Sequence, residues 1–83
     1  MNYVRGQVVK SLKGHDAGEY FVVTDAYEKY VLVANGKTRR IASPKKKNIK
    51  HISPSEEKLI NLEAQTDKTL RRLINIFKMA DKL

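Results

Sequence analysis

Residues 20–36 read Tyr20-Phe21-Val22-Val23-Thr24-Asp25-Ala26-Tyr27-Glu28-Lys29-Tyr30-Val31-Leu32-Val33-Ala34-Asn35-Gly36. The first five are aromatic or β-branched and read as a strand. Asp25 to Lys29 turns the chain, and Tyr30 to Ala34 reads as a second strand of the same kind. Asn35-Gly36 is the dipeptide preferred in a type I′ hairpin, because both central positions need positive φ. That hairpin predicts a return strand over Lys37-Thr38-Arg39-Arg40-Ile41-Ala42, ended by Ser43-Pro44 because proline cannot donate to a ladder.

Working outward, Val4, Gly6 and Val8 alternate with Arg5 and Gln7, the period of a half-buried strand. Lys13-Gly14-His15-Asp16-Ala17-Gly18 then reads as a loop. A short last strand is expected from Asn48 to Ile52. Five short strands in about 50 residues predict an SH3-like barrel over 1–52, with closure managing the sheet edges.

Residues 53–83 read as one or two helices. Ser53-Pro54-Ser55-Glu56 is a start signal, with Ser53 as cap, Pro54 in the first turn and Glu56 completing a capping box. Leu59 and Leu62 then share a face. Thr66-Asp67 reads as a second cap, which predicts a break near Gln65 and a helix from Asp67 to about Lys82. In it Leu70, Leu73, Ile74 and Phe77 form an apolar stripe. Arg71, Lys78 and Lys82 fall on a separate face. Ile76, Met79 and Leu83 flank the stripe, either as a wide core-facing surface or as a docking surface for a partner or a second copy. The expected class is mainly β with a C-terminal α segment.

The chain has 83 residues, the size of one small domain. Its formal net charge is +8, and 41% of its residues are hydrophobic, enough to fold. There is no cysteine, so no disulfide, thiolate zinc site or cysteine nucleophile is expected. His15 and His51 are the two histidines, far apart in sequence, and no acidic cluster accompanies them. Neither a metal site nor a cofactor is expected. No serine has a base beside it in sequence, so enzyme activity is not expected. No apolar run reaches 18 residues, and Met1–Gly6 has no apolar stretch behind its charge, so a soluble cytoplasmic protein without a membrane partner is expected.

The charge is one-sided. Residues 1–52 carry net +7 and residues 53–83 net +1. Lys37, Arg39, Arg40, Lys45, Lys46, Lys47 and Lys50 lie within 15 residues that contain no acid. Such a run repels itself unless an anion neutralises it, and a nucleic acid is the commonest partner that does so.

Gly6 to Val23, with glycines at 14 and 18, resembles a KOW motif. Tyr30 to Arg40 is similar to the second hairpin of the archaeal and eukaryotic large-subunit ribosomal protein fourteen-e family. Pro44 to Ile52 is similar to that family's lysine-rich segment and last strand. Residues 3–52 resemble short bacterial KOW-domain RNA-binding proteins related to it. The resemblance implies a barrel that binds structured RNA, ribosomal RNA above all, as a component or associate of the large subunit.

On that reading Gly14 and Gly18 let the loop approach RNA, since glycine lacks Cβ and tolerates positive φ. Lys10 and Lys13 contact phosphates beside the loop. His15 donates to phosphate or backbone, and Asp16 orders the loop by accepting from nearby backbone N–H groups, with a further role beside RNA. Lys37, Thr38, Arg39 and Arg40 form a hairpin contact in which guanidinium forks meet phosphate oxygens. Lys45, Lys46 and Lys47 act as mobile point charges, with Lys50 and His51 on the last strand. Tyr3, Tyr20, Phe21 and Tyr30 lie mostly where a barrel core needs them, which leaves Tyr27, in a turn, free to stack. Recognition of shape and backbone is expected. The competing expectation is a protein-interaction adaptor, like the KOW modules of NusG-type transcription elongation factors.

Overall fold

The computed structural model describes residues 3–81, with residues 56–58 and 81 described by their backbone alone. Five strands form one antiparallel sheet: β1 (Gln7–Ser11), β2 (Tyr20–Ala26), β3 (Tyr30–Ala34), β4 (Lys45–Asn48) and β5 (Ile52–Leu59). Their spatial order is β4-β3-β2-β1-β5. A single 3-10 turn, Ile49–His51, carries the chain from one edge strand to the other, and the sheet curls into a half-barrel. A second 3-10 turn, Leu62–Ala64, leads into helix α1 (Asp67–Asp81).

The apolar runs are continuous because both faces of the sheet are covered. Successive side chains of a strand point to opposite faces. Val9, Phe21, Val23, Val31, Val33 and Ile52 fill the concave side, with Tyr3 and Ile49 packed against them. Val8, Tyr20, Val22 and Ala34 point outward and meet Ile60, Leu62, Leu70 and Ile74. Helix α1 thus covers the Val8, Tyr20, Val22 and Ala34 part of the outer face with the stripe expected from the sequence, Leu73 and Phe77 at its margin. Ile76 and Met79 are exposed, which settles them outside the core. Lys82 and Leu83 lie outside the described residues.

Strand β3 and helix α1 fall where the sequence places them, and β2 runs two residues further. The helix is capped as predicted: Thr66 Oγ1 accepts from the Thr69 N–H at 3.3 Å, and the Thr66 N–H donates back to Thr69 Oγ1 at 2.9 Å. Four expectations are corrected. The first strand begins at Gln7, and Val4 is exposed. No return strand follows Asn35-Gly36; residues 35–40 form an irregular loop, and the strand that pairs with β3 is Lys45–Asn48. The expected last strand is mostly the 3-10 turn Ile49–His51. The helix expected from Ser53 is instead β5, which extends the sheet beyond residue 52. Leu59 is exposed on this strand while Leu62 is buried in the turn after it, so they share no helical face. Pro54 and its cap-like neighbours mimic a helix start, but β5 lies at the sheet's edge, where a residue without an N–H is tolerated.

Candidate nucleic-acid interface

The loop over 13–18 is fastened to the half-barrel through one carboxylate. Asp16 accepts from Ser11 Oγ at 2.7 Å, from Lys47 Nζ at 2.7 Å and from Lys45 Nζ at 2.9 Å. Lys47 Nζ also donates to the Lys13 carbonyl at 2.7 Å. Burial by itself raises the Asp16 pKa, but the bonds from Lys47, Ser11 and Lys45 outweigh it and hold the carboxyl far below the usual carboxylate range. The ammonium of Lys47 is the buried member, its side chain 7% exposed against 31% for Lys45.

This geometry divides the lysine run. Lys45 and Lys47 pair with Val33 and Val31 on the concave side of the sheet. Lys46 pairs with Leu32 and points outward, where its Nζ lies 4.4 Å from the Tyr30 ring centroid. The expectation of three equivalent mobile charges is therefore corrected. A strand sends alternate residues to opposite faces, and the half-buried carboxylate of Asp16 claims the two that turn inward.

Residues 35–40 are organised by Asn35. Its side-chain oxygen accepts the N–H groups of Lys37 at 2.9 Å and Arg39 at 3.0 Å, and its amide donates to Thr38 Oγ1 at 3.0 Å. The Arg39 carbonyl accepts from the N–H groups of Asn35 and Gly36, at 3.0 Å each. Gly36 has φ +77°, and a Cβ there would strike the Asp67 carbonyl in the first turn of α1. The next tie is the Ile41 N–H, which donates to Asp67 Oδ1 at 2.8 Å. A short polar side chain that satisfies its own loop competes with hairpin formation, which is why the Asn-Gly signal misleads here.

The two loops face one another. His15, Asp16 and Glu19 on one side, and Lys37, Thr38 and Arg39 with Lys45 on the other, line a cleft of about 320 Å³. Gly14 and Gly18 hold φ of +95° and +90° in the loop rim. The Lys37, Arg39 and Arg40 side chains are exposed and, among the described residues, form no ion pair. The acids nearby have cationic partners: Asp16 two close lysines, and the half-exposed Glu19 a looser one in Lys78 at 3.7 Å.

Sequence reasoning missed what the helix adds. Arg71 and Lys78 line a smaller recess with Lys37 and Glu19, so the cationic face of α1 continues the surface. Its separate face was legible, but the loop it abuts depends on docking through Asp67. Lys10 lies elsewhere, on the outer face with its Nζ 5.6 Å from the Tyr20 ring centroid. Lys13 is exposed at the loop's start. Lys50 and His51 sit on the 3-10 turn, tied to the same end by the Leu12 N–H donating to the His51 carbonyl at 2.8 Å. Among the described residues no group of three or more acidic, histidine or cysteine side chains is placed to hold a metal ion, and no helix is long and apolar enough to cross a membrane. No protein-family model and no curated protein matches the chain.

Proposed function

We propose that the chain is an RNA-binding module with an SH3-like KOW barrel, and that it grips the phosphates of structured RNA, with ribosomal RNA of the large subunit as the target. The observation that carries this reading is the cleft between the 13–18 and 35–40 loops. Lys37 and Arg39 line it and Arg40 follows them on the same loop, all exposed and without acidic partners among the described residues, while Asp16 and Glu19 are already paired. Unpaired cations on a fixed rim gain most from a polyanion, because each phosphate neutralised releases condensed counterions. Two guanidinium forks suit phosphate oxygens better than point charges do. Asp16 serves the site by holding its loop, not by touching RNA. The resemblance of residues 3–52 to KOW-domain RNA-binding proteins supports the same reading.

The test is co-sedimentation from cell extract at moderate salt, followed by binding of the purified protein to fragments of ribosomal RNA. Association with large ribosomal subunits and with folded fragments is expected. Association with RNA polymerase, combined with indifference to folded RNA, would overturn the proposal in favour of a protein adaptor.

A further inference from the structure

At the far end of β4 from Lys45, about 10 Å along the strand, lies a second surface of different chemistry. The Tyr27 and Tyr30 rings stack with centroids 4.7 Å apart and planes inclined by 22°. Lys46 Nζ lies 4.4 Å from the Tyr30 centroid. Tyr30 is thus engaged by a ring and a cation, while Tyr27 is 51% exposed. An open recess of about 520 Å³ lies here, lined by both rings, by the cations Lys29 and Lys46, by the carboxylate Glu28 and by Asn48. Helix α1 packs over Val8, Tyr20, Val22 and Ala34 and leaves this end of the outer face uncovered.

We propose that this recess is a second RNA contact that takes one unpaired nucleobase, stacked on the free face of Tyr27, with the adjoining phosphate held by Lys46 and Lys29. The inference rests on the RNA-binding reading and deepens it, since the cleft at the other end holds backbone alone. A flat π-face beside two cations and one acid, Glu28, keeps a net positive charge and matches a nucleotide, which joins a flat base to an anion. A proline-rich peptide also seeks paired aromatic rings, but it offers nothing anionic to the lysines. Unpaired bases are what aromatic side chains recognise in RNA, because bases within a helix are already stacked. The Tyr27 ring is free to be replaced, since its turn is closed by the backbone: the Tyr27 N–H donates to the Tyr30 carbonyl at 2.9 Å.

The experiment compares Tyr27→Ala and Tyr27→Phe with the unaltered chain on two RNAs of equal length, a single strand and a fully paired stem. Tyr27→Ala is expected to weaken single-strand binding about fivefold or more, the loss of one stacked base, and to leave the stem unaffected. Tyr27→Phe is expected to bind both normally. If Tyr27→Ala melts early, Tyr27→Leu replaces it, keeping apolar cover over Tyr30 without a π-face. Single-strand affinity unchanged in these variants, or equal losses on both RNAs, would overturn the platform while leaving the cleft intact. An unaltered chain that binds neither RNA would instead remove the RNA reading itself.

Discussion

Asp16 is the residue on which the site's shape turns. It joins Ser11, Lys45 and Lys47 and so ties the 13–18 loop to two strands. Asp16→Asn leaves the buried Lys47 ammonium with neutral carbonyl acceptors and no counter-charge. Removing one member of a buried pair costs on the order of 3 kcal/mol, and the melting temperature should fall by more than about 10 °C. Lys47→Met should cost less, because Asp16 keeps Lys45 and Ser11. The double variant should be less damaged than the two single effects added together. The pH dependence has a definite sign. Folding lowers the Asp16 pKa, so its carboxylate stabilises the fold above the ordinary value of 3.8. That contribution is lost as pH falls below this value towards the folded one. Melting followed from pH 7 to 2 should steepen downward below about pH 4 in the unaltered chain and be flatter in Asp16→Asn. The sequence offered Asp16 as a residue that orders its loop through backbone N–H groups; it does fasten the loop, but through the side chains of Ser11, Lys45 and Lys47. The sequence did not reveal that two of three consecutive lysines serve that acid, because a cation run looks the same whether it faces water or a half-buried carboxylate.

At the scale of elements, the helix positions the loop that carries the exposed cations. Gly36 rests on the first turn of α1, and Asp67 accepts the Ile41 N–H. Gly36→Ala meets both a positive φ and the Asp67 carbonyl, so a loss of at least about 2 kcal/mol is expected in denaturant unfolding. The same variant should bind RNA more weakly even where it remains folded, since Lys37, Thr38 and Arg39 leave their places. Leu70 is fully buried between helix and sheet, and Leu70→Ala should cost roughly 2–5 kcal/mol by urea unfolding. The periodicity of Leu70, Leu73, Ile74 and Phe77 was legible because one face of a regular helix meets one apolar surface. Residues 35–44 and 53–59 were not. Asn35-Gly36 and Ser53-Pro54-Ser55-Glu56 are local signals that tertiary partners override. The first is captured by the helix and by Asn35's own bonds, the second by an edge position beside β1.

Across the whole molecule, the half-barrel separates structural charge from available charge. Lys45 and Lys47 lock one end of the concave core, Lys46 belongs to an aromatic surface, and Lys37 and Arg39 stand on a rim that Arg71 extends, with Arg40 exposed on the same loop. Composition pointed to a polyanion as the expected partner, but which cations are free to meet one depends on the alternation of β4 and the docking of α1. The most direct test is the salt dependence of RNA binding, log affinity against log salt, for the unaltered chain, for the triple variant Lys37→Ala, Arg39→Ala, Arg40→Ala, and for Lys47→Met. Each phosphate that is no longer neutralised should flatten the slope by ~0.7–0.9. The triple variant should therefore give a slope shallower by about two to three units with its fold retained, while Lys47→Met keeps the full slope. An unchanged slope in the triple variant, or a slope flattened in Lys47→Met alone, would contradict the account.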